Sequence, residues 1–350
     1  MHPFRNLLLI SMGRADSFEK DPTPAVWSRM FDMARHQAML GILYEGILRL
    51  PESQRPPQEL MDRWKELTEL TAEIYRRHLE RIDQLKPVLQ QNGLRGCILK
   101  GTGLGSLYPK PERRLCGDID LWVEGTTGST VKAFDKAGYP LHDIVYQEAK
   151  VDLFDDTELE IHFHPTKMYN PFRNARLQKF FNDNAPFDGT LTYPDARFNA
   201  VFCMAHMYRH YLEGGIGLRQ MLDYYYVLRV LRPEDRAQVL NTLKKLGMKK
   251  FTAAVMCAVQ FNFGLEDEYL LCPADKKSGG RLVNDIISMG NFGVLDKRNY
   301  GSDDESRWAR FMRKNRRVFS NLKHFPCEVI WSPFARLSQY VWRLVNGYLH

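Results

Sequence analysis

The chain contains no C-x-x-C pair. Its six cysteines, Cys97, Cys116, Cys203, Cys257, Cys272 and Cys327, are scattered. That spacing argues against a zinc ribbon or a dense disulfide framework. Cys97 lies in the apolar run GCILKG and Cys203 in VFCMAH, so the expectation is reduced, buried thiols in a cytoplasmic protein. Long apolar runs are equally scarce. No window approaches the roughly 18 uninterrupted apolar residues of a membrane-spanning helix. The run Leu7 to Ile10 is short, with no small-residue cleavage site after it, so no secretory signal is expected. An excess of one charge is also lacking. A formal net charge of +7 over 350 residues is mild, and only local clusters can argue for a polyanionic partner. Neither repeats nor low-complexity segments occur.

What is present is ample material for a core, at 44% hydrophobic residues, and a length that suggests about two domains. The texture changes twice. Residues 1–90 read as helical. PAVWSRMFDMARHQAMLGILYEGILRL keeps apolar residues at helical spacing from Val26 through Ile47, and a second helix runs from about Glu59 to Leu89, with Pro87 expected to kink or end it. Residues 91–193 read as an α/β core. GCILKG and DIDLWV are strands, TTGSTVKAFDKAGY is a capped helix, and HDIVYQEAKVDLF with TELEIHFH forms a hairpin turning at Asp155-Asp156. Residues 194–350 return to helical spacing and end in a basic, aromatic tail.

One stretch departs from ordinary core or loop: ILKGTGLGSLYPKPERRLCGDIDLWVEG, Ile98 to Gly125. In a strand, residues i and i+2 point to one face. Asp118 and Asp120 therefore project together, while Ile119, Leu121 and Val123 supply the apolar side. Two carboxylates about 6–7 Å apart along a strand repel when ionised. Hard ions such as Mg²⁺ relieve that repulsion, preferring carboxylate oxygens and substrate phosphates. A pair of ions about 3.5–4 Å apart serves in-line displacement at phosphorus. An isolated D-x-D is more often a solvated strand end, so its companions decide. Gly101 and Thr102 follow a strand and open a helix, where backbone N–H groups form an anion site. The turn is not a Walker loop, since no Gly-Lys-Ser/Thr follows. Nor is it the dinucleotide fingerprint, since Ser106 stands where the last glycine belongs. Further on, ELEIHFHP alternates Glu158, Glu160, His162 and His164 with Leu159, Ile161 and Phe163. If this strand lies beside Asp118 and Asp120, Glu160 completes a carboxylate triad. His162 and His164 then serve as hydrogen-bonding or phosphate-contacting groups, with H-x-H chelation of a transition metal as the alternative.

Taken in this order, LKG…LYPKPERRLCGDIDLWV…ELEIHFHP resembles the DNA polymerase β-like nucleotidyltransferase superfamily, and more narrowly its branch of uncharacterised nucleotidyltransferases. The tight match covers Leu99 to Pro165. ARHQAMLGILYEGI and AHMYRHYLEGGIGLRQMLDYYYVL resemble the family's N-terminal helix and the helical segment after its core. The resemblance implies an α+β fold, a small mixed sheet with helices flanked by N-terminal and C-terminal helical regions. It implies that Asp118 and Asp120 are a metal-binding pair and that Glu160 is the third carboxylate, which ligates a metal and helps activate an acceptor hydroxyl. These three would be the catalytic residues. Gly101 and Thr102 match the turn that holds nucleotide phosphates, Thr being a departure from the family's second small residue. Lys100, Arg114 and Gly117 match its Lys-Gly and Arg-x-x-Gly-Asp-x-Asp, and the chemistry of the two cations suits triphosphate contact. His162 would join the nucleotide contacts.

Mg²⁺ or Mn²⁺ as cofactor, an NTP as substrate and an acceptor on a small molecule, protein or RNA follow from the same resemblance. A non-catalytic nucleotide-binding or regulatory protein is the other reading. His206, Arg219 and Asp223 fall on positions the branch resembles, with a structural role or a nucleotide or acceptor contact as the two readings, and Arg219 and Asp223, one helical turn apart, are spaced to pair. Lys110 and Arg113 are expected to be solvated loop residues. In the tail, Arg307, Arg310, Arg313, Lys314, Arg316, Arg317 and Lys323 interleave with Trp308, Phe311 and Phe319. Such a segment packs on the core, binds nucleic acid or lies on an anionic membrane surface.

Overall fold

The computed structural model describes residues 3–296 and 306–348. Four helices come first: α1 (Pro3–Ser11), α2 (Pro24–His36), α3 (Leu40–Arg49) and α4 (Gln58–Gln91). The helical spacing expected to run on from Val26 through Ile47 is broken at Ala38, whose φ is +56°. The reason lies in its neighbour, the buried Gln37. Its Nε2 donates to the Ile286 carbonyl and its Oε1 accepts from the Leu218 N–H, each at 2.8 Å. The side chain thereby ties the break to two distant helices and satisfies an N–H at a helix start that has no intrahelical partner. Pro87 neither ends nor caps α4 but sits inside it. Leu85 and Leu89 on either side of it are fully buried, so packing of the last turn outweighs the single backbone bond a proline removes.

A five-stranded mixed sheet follows, interleaved with helices: β1 (Gly96–Ile98), α5 (Gly101–Gly105), β2 (Ile119–Val123), α6 (Thr127–Lys136), β3 (Glu148–Val151), β4 (Leu159–His162), α7 (Pro171–Asp183) and β5 (Leu191–Thr192). The strand order is β3-β4-β2-β1-β5. β3 and β4 form the expected antiparallel hairpin, and β4 lies parallel to β2, with Asp120 opposite Glu160 and Trp122 opposite His162. Period-two alternation then sorts the two faces. Ile119, Leu121, Val123, Leu159 and Ile161 pack with Ile82, Leu85 and Leu89 of α4 and Phe134 of α6. Cys97 and Trp122 turn the other way, into a larger cluster that joins helices from both ends of the chain.

The remaining helices are α8 (Ala196–Glu213), α9 (Leu218–Val230), α10 (Pro233–Lys245), α11 (Lys249–Phe263), α12 (Lys276–Met289), α13 (Arg307–Phe319), α14 (Pro326–Val329) and α15 (Ser332–Val345). Among the described residues no helix is long and apolar enough to cross a membrane. Cys97, Cys116 and Cys203 are buried, but Cys327 is exposed, against expectation. It sits on a single surface turn, α14, whose inward side is taken by Glu328 and Val329. In the basic tail, α13 is capped by Ser306 and exposes Trp308, which stacks on Phe311 with ring centroids 5.5 Å apart. Val318 turns inward. The side chains of Arg307, Lys314 and Arg317 lie outside the described residues.

Candidate active site

The site is set by the β2–β4 register. Asp120 is buried on β2, Glu160 faces it from β4, and His162 stands two residues further along β4 on the same face. His162 Nε2 lies 2.9 Å from Asp120 Oδ1 and 3.5 Å from Glu160 Oε2, and its Nδ1 is 3.8 Å from Glu148 on β3. Lys100, the residue before α5, closes the arrangement. Its Nζ sits 2.6 Å from the same Asp120 oxygen. Gly101 makes this approach possible. Its φ of +51° turns the chain from β1 into α5 through a region that favours glycine.

Burial and charge pull these groups in opposite directions. Burial would raise the Asp120 pKa, but Lys100 and His162 overcome it and hold the carboxyl well below the usual range. Burial likewise disfavours the His162 imidazolium, yet Asp120 and Glu160 push its pKa up to about 10. Lys100 also moves upward, with burial outweighed by Asp120, Asp118 and Glu160. The His162 hydrogen bond holds Glu160 below its ordinary value. Asp118 goes the other way. Repulsion from Asp120, then burial, raises it to about 6. The set is therefore three carboxylates against two cations, with the surplus negative charge felt at Asp118.

Asp118 and Asp120 open onto a small cleft of about 100 Å³, walled by α8 and α9. His206 of α8 and Arg219, Gln220 and Asp223 of α9 line it. The expected Arg219–Asp223 pair does not form. Arg114 takes Asp223 instead, through Nε at 2.7 Å and Nη2 at 2.8 Å, and Tyr108 donates to it at 2.7 Å. A planar fork matches both carboxylate oxygens at once, which a helical neighbour four residues away does not. Arg219 donates to the Leu115 carbonyl at 2.9 Å. Arg114, expected on phosphate, thus has both arms engaged and anchors the loop that leads to Gly117 and Asp118. Lys110 and Arg113 are not loosely solvated either, since both pair with Glu45 of α3. His164 stacks on Tyr146, with ring centroids 4.5 Å apart, away from the carboxylates.

Three polar atoms in the cleft wall are buried without a hydrogen-bond partner: His206 Nδ1, Arg219 Nε and Gln220 Nε2. Burial, with Lys100 and His210 nearby, keeps His206 neutral. Gln220 was missed in the sequence. Its signal was available, as Arg219, Gln220 and Asp223 are polar residues set among apolar neighbours on α9.

A family model described as uncharacterised nucleotidyltransferase matches residues 23–264. The chain belongs to that family. No curated protein and no solved structure matches it. The matched segment spans the whole sheet together with α8 and α9, so every residue lining the cleft except Phe292 lies inside it.

Ligand atoms of Asp120, Glu160 and His162 all lie within 4.8 Å of one another. Asp118 is not in that group, although it lines the same cleft and carries the surplus charge. Carboxylate oxygens in negative surplus suit a hard divalent ion.

Proposed function

We propose that this protein is a divalent-metal-dependent nucleotidyltransferase that moves a nucleoside monophosphate from an NTP to an acceptor hydroxyl and releases pyrophosphate. The observation that carries the reading is the parallel register of Asp120 against Glu160, with Asp118 raised to about 6 beside them. Asp118, Asp120 and Glu160 would hold Mg²⁺ or Mn²⁺, which lowers the acceptor's pKa and neutralises charge on the leaving group.

The chain's own residues supply the rest. The acceptor oxygen bonds to the α-phosphorus as the bond to the β-phosphate oxygen breaks, and the acceptor proton passes to Glu160, the partly exposed carboxylate. Lys100 gives the triphosphate a point charge. Gly101, Thr102 and Gly117 let it approach the backbone. His162 holds Asp120 and Glu160 in one orientation through its ring nitrogen. Arg114 acts through Asp223 by fixing the Gly117–Asp118 turn, and positioning of this kind supplies much of the rate in phosphoryl transfer. A core like that of DNA polymerase β is part of the same proposal.

The test is incubation with each labelled NTP, Mg²⁺ or Mn²⁺, and a cell extract, following label into protein, RNA or small molecules. Wild-type protein is expected to transfer label and release pyrophosphate. Asp120→Asn is expected to lose at least about 10³-fold in rate while keeping its circular-dichroism spectrum. Full transfer by Asp120→Asn would sink the mechanism.

A further inference from the structure

A second cavity, of about 440 Å³, lies between the connection from β4 to α7 and the C-terminal helix α15. It shares no lining residue with the acidic cleft. Its outer wall, from Trp331 to Trp342, also lies beyond the family match at residue 264. The volume falls in the range of small-molecule sites, about 300–1,000 Å³.

Two features define what would fit. The first is an aromatic corner. Tyr146 and Trp342 meet edge to face at 84°, with ring centroids 6.3 Å apart, and Phe334 stands exposed at the rim. The second is surplus positive charge. Among the described residues Lys167 donates only to a neutral acceptor, Gln339 Oε1, at 3.1 Å. Arg336 donates to the Tyr169 hydroxyl at 3.1 Å and lies over its ring, while its Nε is buried without a hydrogen-bond partner. The one carboxylate in the lining, Glu213, is already engaged. It accepts from Tyr169 at 2.8 Å and lies 3.3 Å from Arg209, behind the pocket. Among the described residues, neither Lys167 nor Arg336 forms an ion pair. Cations partly buried among aromatic rings and neutral acceptors gain from an anionic partner, because taking a charge out of water is costly unless an opposite charge meets it.

We infer that this pocket binds an organic anion with a flat aromatic body, the ring seated against Tyr146 and Trp342 and the carboxylate or phosphate on Lys167 and Arg336. The site stands apart from the transfer chemistry and does not depend on it.

Two measurements on the full chain test the inference. Pyridoxal 5′-phosphate is an aromatic anion whose aldehyde condenses with a lysine amine, losing water, and borohydride then reduces the imine to a stable secondary amine. Peptide mass spectrometry is expected to find Lys167 labelled first. Anilinonaphthalene sulfonate should slow that labelling by at least about 10-fold, while its neutral analogue N-phenylnaphthylamine should not. Labelling spread evenly over surface lysines, or equal protection by the neutral analogue, overturns the proposal. In fluorescence titrations, Lys167→Met and Trp342→Leu should each weaken the sulfonate by about 10-fold with unchanged melting. Wild-type affinity in both folded variants overturns it. Displacement of the sulfonate by AMP identifies a nucleotide site and displacement by 1-naphthoate an aryl carboxylate site. Displacement by neither counts against the pocket.

Discussion

Two buried aspartates face the same cleft and are treated in opposite ways. Asp223, on α9, accepts from both arms of Arg114 and from Tyr108. Its charge is matched one for one, and its carboxyl is held below the ordinary range, burial being overcome chiefly by Arg114. Asp120, on β2, has two cations in contact but shares them with Asp118 and Glu160. A carboxylate whose oxygens are all engaged by one fork holds the fold together. A carboxylate in a crowded set leaves negative charge uncompensated, which costs stability and suits a cation. The aromatic pocket inverts the second case, with two cations and no carboxylate to spare.

The largest effect expected from this contrast is at the matched pair. Arg114→Met strands the buried Asp223 and should cost about 3–5 kcal/mol in urea unfolding. Arg114→Lys should recover only part of that, since an ammonium does not reproduce the fork. If either variant unfolds like the wild type and instead raises the KM for NTP, Arg114 belongs on phosphate and the contrast breaks.

Asp118→Asn should move stability the other way. A carboxyl whose folded pKa is raised from 3.8 to about 6 binds its proton more tightly folded than unfolded. Its cost sets in as pH rises past the unfolded value and is complete above about 6. Removing the charge should therefore raise Tm at pH 7.5, at roughly 2–4 °C for each kcal/mol relieved, while transfer is lost. In the wild type, Mg²⁺ should raise Tm more at pH 7.5 than at pH 5, where a proton competes for Asp118. A lower Tm for Asp118→Asn, or a Mg²⁺ effect independent of pH, would show that the surplus charge is not where the geometry puts it.

The smallest effect is at the turn. A Cβ on Gly101 would find its nearest neighbour, the Asp118 carbonyl oxygen, 3.7 Å away, so only the positive φ opposes it. Gly101→Ala should cost about 1 kcal/mol. A fall in transfer far larger than that loss implies would mark the turn as part of phosphate binding rather than a simple corner.

Much of this was legible in the residues. The alternation around Asp120 and Glu160 reads as two strands with one polar face each, because a period of two needs no distant information. Thr126, which accepts from the Ser129 N–H at 3.2 Å, was equally readable as a helix cap. What failed was local extrapolation. The helix expected to run on from Val26 through Ile47 breaks because Gln37 reaches Leu218 and Ile286, far along the chain. The Arg219–Asp223 pair expected from helical spacing lost to Arg114, more than 100 residues away in sequence.

The chain alone therefore determined which acidic, basic and glycine positions share a strand face or a turn, since residue type and short-range periodicity are written locally. The tertiary structure decided which of them meet. It set the parallel register that puts Glu160 beside Asp120, gave Asp223 to Arg114 rather than to Arg219, and placed α15 over Lys167. Each choice was made between segments 40 to 172 residues apart. There the competing partners differ only in burial and geometry, and neither quantity exists until the chain has folded.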